Sequence, residues 1–159
     1  MNYRALTHQD IEVFSEAISA FFRNMTSEPA LVRTAYLLEE KAPILWCDFN
    51  GVIKVAGGFR GSITFSAPRG MLAQVLAAMG EPEQSTEKCL DVVGEIANML
   101  SGRARRHFGE DLDIAPPTAC LRGAPCLPPD ASGTPYAIPL LWRNFEANLV
   151  VHLDITKAR

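Results

Sequence analysis

Four residues in the second half of the chain stand at a spacing that could do chemistry. Asp91, Glu95, Asn98 and Gly102 lie at i, i+4, i+7 and i+11. At about 100° per residue on an α-helix they fall in one stripe about 60° wide. The stripe offers two carboxylates, a carboxamide and a bare backbone position to whatever faces it. Val93, Ile96, Leu100 and Ala104 occupy the opposite side, flanked by Ala97 and Phe108. Such a helix buries one face and shows the narrow polar line on the other. A polar line opposite an apolar stripe is ordinarily a solvated helix face, but three details set this one apart. Between residues 91 and 102 the stripe has no cation, whereas exposed faces usually carry Lys and Glu at pairing distance. Asn98 gains nothing at mid-helix in water. Gly94 and Gly102 each cost up to about 1 kcal/mol in a helix interior. Small residues beside a polar line let another surface come close, so the line reads as a contact face.

The elements around it are those of an ordinary globular domain. The chain has 159 residues, 48% hydrophobic and 21% charged. At roughly 100–200 residues per domain this is a single domain over 1–159, large enough to fold without a metal or disulfide staple. Lys plus Arg number 15 and Asp plus Glu 18, a formal charge of −3. That balance argues against nucleic acid as the main partner and against a polybasic membrane-surface protein. No apolar run reaches the roughly 18 residues of a membrane span, and the N-terminus carries no export signal. A cytoplasmic location is expected. Cys47, Cys89, Cys120 and Cys126 are then read as reduced thiols. The spacing of Cys120 and Cys126 misses the usual zinc-ligand pairs, so no metal site is assigned. Nucleophile-elbow, P-loop and dinucleotide-binding patterns are absent from the sequence.

Periodicity predicts a first helix over Thr7 to Met25, capped by Thr7 or Asp10. Leu31 to Glu39 is β-compatible. Ile44 to Ala56 is apolar and β-branched, and its central Asn50-Gly51 predicts a hairpin turn joining two strands. Ser62 to Ser66 alternates like a half-buried strand. Pro68 opens a short helix through Met79, ended by Gly80 and Pro82. Ser85 or Thr86 caps the long helix that carries the stripe to about Phe108, and Gly109 stops it. Seven of the eleven prolines fall between Gly109 and Pro139, so any strand there is expected at a sheet edge. Residues 124–135 read as an exposed loop. Tyr136 to Trp142 and Asn148 to Thr156 close the chain as strands, both offered as exposed edges that favour pairing between chains. The fold class is α/β of the α+β kind: a mainly antiparallel sheet with two long helices on one face.

The stripe and its surroundings resemble the CheX-type chemotaxis phosphatases of the wider CheC/CheX/FliY family. That motif is an Asp or Ser, three residues, a Glu, two residues and an Asn on an exposed helix, matched by Asp91, Glu95 and Asn98. The stretches DFNGVIKVAGGFRGSITFSAP at 48–68, GEIANMLSG at 94–102 and DIAPPTACLRG at 113–123 match as well. Arg103 stands where relatives often carry Asn. The first helix has no second Glu-x-x-Asn pair, which implies one active site per chain. The resemblance implies a hydrolase acting on the aspartyl phosphate of a CheY-like response regulator. Asn98 would hold the attacking water and Glu95 would pair with the regulator's lysine. Asp91, Gly94, Gly102 and Arg103 would help contact that partner, with Arg103, Arg105 and Arg106 otherwise a solvated, dipole-complementing helix end. No cofactor is expected on this chain, because the Mg2+ would sit on the regulator. A homodimer is expected too. The alternative is a non-catalytic module of the same fold that binds a regulator without hydrolysis.

Overall fold

The computed structural model describes residues 7–37, 46–57, 59–109, 112–124 and 135–155. Among these residues, three helices accompany eight strands of one antiparallel sheet. In chain order these are α1 (His8–Thr26), β1 (Leu31–Val32), β2 (Tyr36–Leu37), β3 (Phe49–Gly57), β4 (Phe59–Ala67), α2 (Arg69–Ala78), α3 (Thr86–Phe108), β5 (Leu112–Ile114), β6 (Thr118–Leu121), β7 (Tyr136–Trp142) and β8 (Phe145–Ile155). The strand order is β1-β7-β8-β4-β3-β5, with β2 also on β7 and β6 also on β3. The expected α+β class holds, with a third, shorter helix beside the two long ones.

The helix ends follow from local chemistry. Thr7 caps α1: its hydroxyl accepts from Asp10 N at 3.2 Å, and the Asp10 carboxylate accepts from Thr7 N at 2.7 Å. This reciprocal box satisfies two otherwise orphaned donors. Ser85 caps α3 by accepting from Lys88 N at 3.2 Å. The core is built from alternate sheet residues and helix stripes. Phe49, Ile53, Ile63, Phe65, Leu149 and Val151 meet Val93, Ile96, Ala97 and Leu100 of α3 and Phe14, Ile18 and Phe22 of α1.

Several expectations need correction. The Asn50-Gly51 pair is not a turn. It lies inside β3, opposite Ser66 and Phe65 of β4. The chain reverses after Gly57, whose φ of +101° is the left-handed geometry that glycine tolerates. Neither β7 nor β8 is an edge. β8 pairs with both β4 and β7, and β7 is covered by β1 and β2. Pro139 still leaves its mark: lacking an N–H, it faces the gap where the covering strand splits into two short pieces. The prolines of residues 116 and 117 fall between β5 and β6, which do lie at the sheet's rim. The strand β4 is not half-buried, because Ser62, Thr64 and Ser66 are buried along with Ile63 and Phe65. Asn50 Nδ2 donates to Cys47 O at 3.1 Å, and Ser66 Oγ accepts from Cys47 N at 2.7 Å. Cys120 is disulfide-bonded, whereas Cys47 and Cys89 are free. The all-thiol expectation rested on compartment, which does not decide whether two sulfurs come within bonding geometry. Most of the loop expected at 124–135, and Cys126 with it, lies outside the described residues.

Candidate functional site

α3 is fixed to its surroundings at both ends and in the middle. At its start Arg69 Nη2 donates to Thr86 Oγ1 at 2.9 Å. At its last turn His107 Nε2 lies 2.7 Å from the buried Asp10 carboxylate, and Arg105 Nη2 donates to Ile114 O at 3.3 Å. Phe108 stacks on Phe14 with ring centroids 6.3 Å apart. In the middle, Gly51 of β3 lies directly beneath the helix. A Cβ placed there would be 2.4 Å from Val93 O and 3.1 Å from the Ala97 Cβ. The bare backbone lets helix and sheet approach more closely than any side chain would allow. That is the reason for the glycine the turn reading misplaced.

With α3 held this way, the stripe faces outward. Asp91, Glu95 and Asn98 are exposed, and Gly94, Gly102 and Arg103 are half-buried. Among the described residues, no hydrogen bond or ion pair engages the side chains of Asp91, Glu95 or Asn98. The buried face is the expected one: Val93, Ile96, Ala97, Leu100, Ala104 and Phe108. Nothing described lies within 4 Å of where a Gly102 Cβ would stand, and at Gly94 the nearest atom is the Ala119 Cβ at 3.8 Å. Internal packing therefore requires neither glycine. Their helix-propensity cost has no counterpart in the packing of the described residues.

A groove of about 230 Å³ runs beside the stripe, between α3 and the end of α2. Asp91 and Glu95 line it with Glu81, Lys88, Met79 and Gly80. Sequence reasoning missed Glu81 and Lys88. The second was legible, since extending the stripe one turn back from Asp91 meets Lys88. Under the helix, Cys89 is fully buried and burial pushes its thiol up from the usual range, so it is held neutral. Among the described residues, no three His, Cys, Asp or Glu side chains gather into a metal site, and no helix is long and apolar enough to cross a membrane.

Two carboxylates and a carboxamide, without partners among the described residues, thus stand in an outward line on one helix over the antiparallel sheet of an α+β domain. The comparisons say which kind. The family model of the chemotaxis phosphatase CheX matches residues 49–141, and the chain belongs to that family. Solved structures agree in fold. The chemotaxis protein CheX from Vibrio vulnificus is 22% identical, with a TM-score of 0.75 over 91% of this chain and 98% of that one. The CheX from Desulfovibrio desulfuricans is 23% identical, with a TM-score of 0.76 over 90% and 97%. A chain of the CheX–CheY–BeF3–Mg2+ complex from Borrelia burgdorferi is 18% identical, with a TM-score of 0.69 over 90% and 96%. No curated protein sequence matches this chain.

Proposed function

We propose that this protein hydrolyses the aspartyl phosphate of a CheY-like receiver domain. The observation that carries the reading is the state of Glu95 and Asn98: both exposed, both without a partner among the described residues, one turn apart on a helix anchored along its length. The relative solved with CheY, BeF3 and Mg2+ supports a receiver as the kind of partner.

The chemistry asks little of such a face. An aspartyl phosphate is a mixed anhydride with a good leaving group. A water attacks phosphorus in line, the bond from phosphorus to the aspartyl oxygen breaks, and a carboxylate and inorganic phosphate remain. Phosphoryl transfer of this sort is mainly positioning and charge stabilisation. The Asn98 amide, which can both donate and accept, orients the water. Glu95 engages the receiver's active-site lysine and fixes the register, and a charge-assisted pair of this kind gives orientation as well as affinity. Asp91 adds negative charge on the same face, Gly94 and Gly102 keep the surface low, and Arg103 borders it. The divalent ion belongs to the receiver. The protein is expected to act as a homodimer, which light scattering on the purified chain checks.

The test is dephosphorylation of a phosphorylated receiver. Asn98→Ala lowers kcat by about tenfold to a hundredfold, as expected when a reactant is no longer held, while Glu95→Ala chiefly raises KM. Both variants keep the wild-type melting temperature, because neither side chain packs in the core. An unchanged rate for Asn98→Ala refutes the water-positioning role. Tight binding with no turnover by the wild type leaves a non-catalytic module.

A further inference from the structure

The groove beside the stripe contains a cation of this chain's own. Lys88 stands three residues before Asp91 on α3, a spacing at which opposite charges on a helix meet. It does not pair there. Its ammonium lies 3.9 Å from Glu81 Oε2 across the groove, and both side chains are about one-third exposed, at 37% and 34%. Glu81 is itself held in place. Its N–H donates to Leu76 O at 2.9 Å, closing the end of α2. Its Oε1 accepts from Glu83 N at 3.3 Å, which turns Oε2 toward Lys88. Asp91 is left without an ion pair among the described residues.

We propose that Glu81 is a positioning residue for docking: it draws Lys88 across the groove and so keeps the Asp91 and Glu95 carboxylates available to a cationic side chain of the receiver. This rests on the receiver-docking reading above. Without Glu81, Asp91 is the groove carboxylate at helical pairing distance (i, i+3) from Lys88, and the docking face loses part of its negative charge to an internal partner. Lys88 is then a competitor of the incoming cation, restrained in the resting protein by a residue on a different element.

The experiment is a double-mutant cycle on the full chain with a phosphorylated receiver at low salt, where such pairs are least screened. Glu81→Gln raises KM about two- to fivefold with kcat unchanged, the range of an exposed ion pair. Lys88→Gln alone shifts KM less than twofold, because that lysine is already restrained. The double variant returns KM to within twofold of wild type. Glu87→Gln, which removes an equal charge one residue from Lys88 but outside the groove, leaves KM within twofold. If Lys88→Gln lowers KM by the same factor in both backgrounds, the charges merely act at a distance and the proposal is overturned. A fall in kcat for Glu81→Gln also overturns it. A crystal structure of Glu81→Gln gives a readout independent of activity: Lys88 Nζ is expected within about 4 Å of the Asp91 carboxylate, and a lysine that stays away refutes the restraint. If Glu95→Ala leaves KM unaltered, the docking reading itself fails. The variant's crystal structure then still decides whether Glu81 restrains Lys88.

Discussion

Gly51→Ala tests how the sheet positions the helix that carries the site. The added methyl would stand 2.4 Å from Val93 O, where ordinary contact begins near 3.4 Å, so α3 must lift by about 1 Å or β3 must sink. Both are embedded: Val93 and Ala97 are fully buried, and β3 is paired on both sides. Overpacking of this kind costs about 1–3 kcal/mol. In a domain of this size that lowers the melting temperature by roughly 2–12 °C. The strain falls on the turn between Val93 and Ala97, next to Glu95 and Asn98. A misplacement of about 1 Å can reduce a positioned reaction by as much as about a hundredfold. The assay is a thermal melt together with single-turnover dephosphorylation at a temperature where the variant is fully folded. A folded Gly51→Ala protein with wild-type melting temperature and wild-type turnover would falsify the claim that this glycine sets the helix height.

Two further outcomes bear on the surface. Gly102→Ala, with nothing described near its Cβ, is expected to stabilise α3 by up to about 1 kcal/mol and raise the melting temperature, yet increase KM for the receiver; a stabilised variant with unchanged KM would show that the glycine serves no docking role. The Glu28 carboxyl is held below the usual range of about 4.5 by the hydrogen bond from Arg143 at 2.7 Å. A carboxyl lowered on folding contributes stability above its unfolded value and loses it as pH falls through the folded one. Wild type should therefore melt higher than Glu28→Gln near pH 7, and the two should converge in acid. Curves that stay parallel down to pH 3 would contradict that linkage.

Much of the candidate site was legible because it lies on one helix. A period of 3.6 residues orders Asp91, Glu95, Asn98 and Gly102 without any knowledge of the rest of the fold, and the structure leaves that order intact. What failed was non-local. Asn50-Gly51 has the chemistry of a tight turn, and only the approach of α3, some forty residues later, shows that the glycine serves packing instead. The edges were misplaced for a similar reason. Alternation in Tyr136–Trp142 identifies a strand but says nothing of its neighbours, and the pairing of β8 with β4 joins Leu149 to Phe65 across the whole motif helix. Glu81 was invisible because its role depends on facing Lys88 from another element. A one-dimensional pattern finds residues that share an element and misses those that meet across a gap.

The central place of β8 has a consequence for how the chain acquires its fold. Its partner β4 is complete by Ala67, whereas β8 runs from Phe145 to Ile155. A growing polypeptide therefore carries β4 through the synthesis of about half the protein with one row of backbone amides and carbonyls unpaired. The helices can form early, being local, but the sheet beneath them cannot close until its late central strand arrives. Pairings so distant in the chain fold slowly, and the open flank of β4, with Ile63 and Phe65 on it, is an opportunity for association between unfinished chains. Nascent chains halted before Phe145 should be captured by chaperones, and release past Ile155 should bring protease resistance in a single step.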